Sequence, residues 1–166
     1  MRRTVVGVMG GSVADERTTA GARELGRLIA ENGWVLVSGG RPTGVMQASV
    51  SGAHEAGGLT VGVLYDEDRE NAADGLDIVI PTGMGAARNI INVLASDVVV
   101  ACRGTGGTLS EIAMALRFGR PVVLLDFDPG EAFLEAGAPH PVWSLAATPA
   151  EAVALVRDYL RKLDLS

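Results

Sequence analysis

Short valine-rich runs alternate with longer amphipathic stretches along the chain. Residues 4–9 (TVVGVM), 34–38 (WVLVS), 60–64 (TVGVL), 77–80 (DIVI), 97–102 (DVVVAC) and 121–126 (PVVLLD) lack the polar alternation of a half-exposed sheet. Such runs predict strands of a parallel sheet buried on both faces. The segment 142–145 (VWSL) adds a short seventh candidate. Between them, 19–33 (TAGARELGRLIAENG), 44–58, 84–95 (MGAARNIINVLA) and 108–119 (TLSEIAMALRFG) carry helical spacing, the last stopping at Gly119 before Pro121. A final helix opens at TPAE, with Thr148 as N-cap, Pro149 in the first helical position and Glu151 as reciprocal partner, and runs to about Leu163. Residues 65–75 (YDEDRENAADG) read as a solvated loop. This order predicts an α/β protein: a Rossmann-like, doubly wound parallel sheet of six to seven strands, with residues 1–166 forming one domain.

Composition narrows the class. With 48% hydrophobic and 20% charged residues, the 166-residue chain is of ordinary globular type. A net charge of -6 argues against a nucleic-acid or membrane-surface partner, both of which need a basic field. No apolar run approaches the roughly 18 residues of a membrane span, and the apolar run at the start is too short for a signal peptide. Cys102 is the only cysteine, so no internal disulfide forms and a cytoplasmic location is expected.

The chemistry gathers at glycines. Clusters at Gly10, Gly11 and Ser12, at Gly39 and Gly40, and at Gly104, Gly106 and Gly107 each follow a predicted strand. Any one of them alone reads as a tight turn. Three on the same side of one sheet favour a shared ligand crevice, since open parallel sheets bind ligands beyond the carboxyl ends of their strands, where strand order reverses. If the first four strands wind outward and the fifth lies beside the first, the first and third clusters meet there. Free amides at the start of the TLSEIAMAL helix then face an anion, with hydroxyls from Thr105 and Thr108. A phosphate is the natural guest. Glu111 has two readings: a catalytic carboxylate, or the closing member of a TLSE capping box with Thr108 as N-cap.

Other motifs fail. No G-x-x-x-x-G-K-[ST] run exists, and GTGGTL has leucine where a dinucleotide fingerprint needs its third glycine. His54 and His140 are far apart without cysteine partners, so no metal site is expected. Cys102 reads as a small buried residue.

Taken together, SGGRPTGVMQASVSGAHEAGGLTVGV, GMGAARN and RGTGGTLSE resemble the LOG (lonely guy) family and its relatives, the molybdenum cofactor carrier proteins, in order from Val5 to about Asp126. The LOG pattern P-G-G-x-G-T-x-x-E is matched at Gly104, Gly107, Thr108 and Glu111, with Gly106 in the free position; Arg103 and Thr105 depart from it. Of the family's M-H-x-R-K, Met84 and Arg88 remain if one residue is inserted. The resemblance implies that Glu111 and Arg88 are a catalytic pair and that residues 104–108 hold phosphate. It implies an enzyme splitting a nucleoside 5′-monophosphate into base and ribose 5-phosphate, without a cofactor. The departures lie toward the short carrier-like branch, whose members would offer the same crevice to a phosphorylated pterin without turnover, and a nucleotide sensor is a third use of it. The lysine decarboxylase label often attached to relatives does not suit this chain: Lys162, in the tail, is its only lysine, and a pyridoxal enzyme needs one for its Schiff base. The resemblance also implies a homodimer or larger assembly. Apolar residues Ile90, Ile91, Val93 and Leu94 on several sides of one helix agree with that.

Overall fold

The structure, a computed structural model, describes residues 2–164. Seven parallel strands form one sheet in the order β4-β3-β2-β1-β5-β6-β7. They are β1 (Val5–Met9), β2 (Val35–Ser38), β3 (Thr60–Leu64), β4 (Ile78–Pro81), β5 (Val98–Ala101), β6 (Val122–Leu125) and β7 (Trp143–Ala146). The expected Rossmann-like fold is borne out, including the seventh strand. In register, Val6 pairs with Leu36 of β2 on one side and Val98 of β5 on the other.

Alternation along each strand splits the core into two layers. Val6, Val8, Leu36, Val98, Val100, Val123 and Leu125 pack beneath α1 (Glu16–Glu31), α2 (Gly44–Glu55) and α6 (Pro149–Asp164). Met9, Val99, Ala101, Val122 and Leu124 face the opposite layer, which holds α3 (Asn89–Ala95), α4 (Gly106–Arg117) and α5 (Glu131–Ala136). Both faces of the central strands are therefore apolar, which is why those runs show no polar alternation.

Five details depart from the sequence reading. β4 is an edge strand, and its alternate residues Ile78 and Ile80 are exposed rather than buried, because the outermost strand lacks a covering helix on that side. α1 starts at Glu16, earlier than its apolar stripe, because the Asp15 carboxylate accepts from Thr18 N–H at 2.7 Å and caps it. The helix expected over 84–95 breaks into a 3-10 turn, Gly85–Arg88, followed by α3. The short helix α5 was not anticipated; only Leu134 of its residues is buried, so its sequence carries little amphipathic signal. At α6, Thr148 Oγ1 accepts from Glu151 N–H as expected, but the Glu151 carboxylate reaches Ala147 N–H instead of the cap residue itself.

Candidate functional site

Strand order reverses between β1 and β5, and their following loops touch there. Gly11 N–H donates to the Arg103 carbonyl at 3.0 Å. A Cβ on Gly104 would lie 2.0 Å from Thr108 Oγ1 and 2.9 Å from Gly11 N, so only glycine allows this approach. The result is a crevice of about 490 Å³ along the carboxyl ends of the central strands.

α4 opens into this crevice. Its N-cap is Thr105, in extended conformation and without a side-chain cap bond. The first amide to find a carbonyl within the turn is that of Leu109, which donates to Thr105 O at 3.0 Å. The amides of Gly106, Gly107 and Thr108 are thus the orphan donors of the first turn, at the positive end of the helix dipole. This placement overturns the capping-box reading. Because the helix begins at Gly106, Thr108 sits inside the first turn and Glu111 one turn further in, too far along to reach back to a cap. Glu111 Oε1 instead accepts from Asn92 Nδ2 of α3 at 3.3 Å.

Glu111 is 6% exposed. Burial pushes its carboxyl up to about 7, against the opposing pull of the Asn92 hydrogen bond and the nearby Arg88 charge. Arg88 is itself buried, at the end of the 3-10 turn. Burial lowers its affinity for the proton, Glu111 opposes that, Arg41 adds to it, and Asp66 opposes it. A guanidinium stays charged through all of this. Its Nη1 donates to Asn89 Oδ1 at 2.8 Å. Gly39 makes the room: a Cβ there would stand 2.8 Å from Nη1 and 3.0 Å from Nη2, forcing the guanidinium away. Arg88 Nε, Asn92 Oδ1 and Asp66 Oδ2 are buried without partners. Buried polar atoms in native proteins are nearly always satisfied, and of these three residues Arg88 lines the crevice, so its free Nε points to a ligand or water there.

Of the sequence candidates, Gly10, Gly11, Ser12, Gly39, Thr105, Gly107, Thr108, Arg88 and Glu111 line the crevice. Gly40, Gly104 and Gly106 do not. Gly40 adopts a left-handed turn packed on Gly62, and Gly104 lies beneath Thr108. Gly106 faces open space. Arg41, Tyr65 and Asn89 also line the crevice, and Asn92 supports Glu111. Tyr65 follows β3 directly and Arg41 follows the two glycines after β2, so the strand-end rule that singled out the glycines reaches them too. Asn92, in mid-helix, carries no such signal. Among the described residues no group of three or more His, Cys, Asp or Glu is placed to hold a metal, and no helix is long and apolar enough to cross a membrane.

Comparison with known proteins agrees with the resemblance in the residues. The molybdenum cofactor binding protein of Rippkaea orientalis superposes with a TM-score of 0.90 at 45% identity, covering 96% of this chain and 99% of that one. The Moco carrier protein of Chlamydomonas reinhardtii gives 0.87 at 42% identity, over 97% and 99% of the two chains. More distantly, the cytokinin riboside 5′-monophosphate phosphoribohydrolase of Mycobacterium tuberculosis is 34% identical over 116 residues, 63% of this chain and 60% of that protein. Residues 3–153 match the family described as SLOG cluster4, and the chain belongs to that family.

Proposed function

We propose that the protein is a binding or carrier protein for a phosphorylated pterin of the molybdenum cofactor type, with the phosphate on the first turn of α4. The observation that carries this is the uncapped α4 terminus opening into the crevice at the β1–β5 switch point. The full-length likeness to two molybdenum cofactor proteins supports the pterin as guest. In this reading residues 1–166 act as one phosphate-binding domain, and the buried, unpaired Cys102 suits a cytoplasmic site of action. A second reading, hydrolysis of a nucleoside 5′-monophosphate, is favoured by Glu111 and Arg88. A buried carboxylate beside the sugar stabilises positive charge developing on ribose as the N-glycosidic bond breaks, while the pinned phosphate fixes the sugar.

Fluorescence titration with a phosphorylated pterin tests the main reading, alongside an assay for base released from nucleoside monophosphates. Gly107→Leu is the informative variant. A Cβ at Gly107 meets nothing closer than Asn89 Nδ2 at 4.0 Å, so the fold tolerates it, yet the side chain projects where the phosphate is placed. Pterin affinity is expected to fall about 100-fold or more with no loss of thermal stability, since a non-glycine residue also favours the helix. Equal affinity in wild type and variant would put the phosphate elsewhere. Release of base by wild type would replace carriage with hydrolysis.

Assembly belongs to the same proposal. Leu94 on α3 and Phe118 at the end of α4 are 46% and 53% exposed on neighbouring helices, an apolar face suited to a second copy. Light scattering at micromolar concentration should return at least twice the monomer mass, and a monomer mass would count against it.

A further inference from the structure

The phosphate end of the crevice leaves its other end unassigned. Arg41 follows β2, and Tyr65 follows β3. In the strand order these lie two and three steps from β5, which precedes the α4 terminus. At about 4.8 Å per step, the ends of those strands lie roughly 10–14 Å from the end of β5. The Arg41 guanidinium carbon lies over the Tyr65 ring, 4.4 Å from its centroid, a cation–π contact, and that of Arg88 lies 5.6 Å from the same centroid. Arg41 makes no hydrogen bond or ion pair among the described residues, so its donors are uncommitted, although it borders the crevice. Its backbone is held firmly: the preceding Gly40 carbonyl accepts from Ala73 N–H at 2.7 Å, and Pro42 follows. A guanidinium lying over one ring keeps a second flat face and its N–H edges for another planar group.

We propose that Arg41, lying over Tyr65, is the ring-recognition element of the crevice and selects phosphorylated ligands carrying a planar, electron-rich heterocycle at the end distant from the phosphate. This rests on the phosphate-at-α4 reading and adds the chemistry that the far end must present. Stacking on a guanidinium plane tolerates purines and pterins alike, because both offer a flat π-face. The sugar or linker between ring and phosphate bridges the intervening strands.

Calorimetric titration with ribose 5-phosphate, GMP and a phosphorylated pterin tests this. GMP carries the aminopyrimidinone ring that pterins share, and ribose 5-phosphate has no ring system to stack. In Arg41→Ala and Tyr65→Ala, affinity for GMP and the pterin is expected to fall about tenfold or more, with ribose 5-phosphate within about twofold of wild type. Arg41→Lys keeps the charge but loses the plane, and should show the same selective loss. If ribose 5-phosphate weakens equally, Arg41 is a phosphate ligand and the proposal is overturned. Rescue by lysine, or unchanged affinity in all variants, overturns it as well. Wild type that binds ribose 5-phosphate no better than buffer ions overturns the underlying phosphate reading first, and this proposal with it.

Discussion

Glu111→Gln is expected to stabilise the protein at pH 8 and to leave it nearly unchanged at pH 5. The carboxyl of Glu111 is raised from 4.5 to about 7 by burial. A raised carboxyl binds its proton more tightly in the folded than in the unfolded state, so its favourable contribution is complete below about pH 4.5 and is lost as pH rises to about 7. Above that, the folded protein holds an ionised, nearly buried carboxylate, a difference of about 3 kcal/mol. Glutamine keeps an oxygen for the Asn92 N–H and never ionises. For a chain of this length the gain corresponds to a melting temperature roughly 6–12 °C higher at pH 8. A melting temperature that tracks wild type from pH 5 to 8 would mean that Glu111 does not titrate in this range. The same variant separates the two functional readings. A carrier should hold its phosphorylated ligand at least as well at pH 8, because a negative charge has been removed from the crevice. An enzyme should lose turnover by orders of magnitude while still binding.

Arg88→Ala should act in the opposite direction. Without the guanidinium, the Glu111 carboxylate and the partly buried Asp66 lose a neighbouring cation, and the space against Gly39 is vacated. Leaving the two carboxylates without that cation costs about 3 kcal/mol. The loss should be larger at pH 8, where Glu111 is ionised, than at pH 5, where it is protonated. Affinity for the phosphorylated ligand should fall about 100-fold. Arg88→Lys should not restore it, since a single ammonium cannot reproduce the planar fork that bonds Asn89 and presents further donors. Combining Arg88→Ala with Glu111→Gln should recover part of the stability at pH 8, because neutral glutamine no longer needs a cation. Urea unfolding of the four proteins at both pH values measures this. Equal losses at the two pH values would show that Arg88 contributes packing alone.

What could be read along the chain was local in origin. Valine runs without polar alternation reported strands covered on both faces, and glycines after strands marked where backbone must approach backbone, as at Gly11 and Gly104. Thr148 and Pro149 set the start of α6 locally, the threonine by accepting from Glu151 N–H and the proline by its fixed φ. Where a neighbour far off in the chain decides the outcome, the local pattern misled or was silent. β4 looked like any other buried run, and only its place at the sheet edge exposes Ile78 and Ile80. TLSE carries the spacing of a capping box, but the turn at Thr105 starts α4 earlier and turns Glu111 toward Asn92.

Most strands and helices, the glycine run that opens α4 and the family resemblance are legible along the chain, because each depends on residues adjacent in sequence or one helical turn apart. The pairing of Arg88 with Gly39, of Glu111 with Asn92 and of Arg41 with Tyr65 arises only when segments distant in the chain pack together. Their juxtaposition depends on β3 lying beside β2 and on α3 packing against both β2 and α4. Burial of Glu111 between those elements is what moves its carboxyl to about 7, a consequence of desolvation that no residue spacing records.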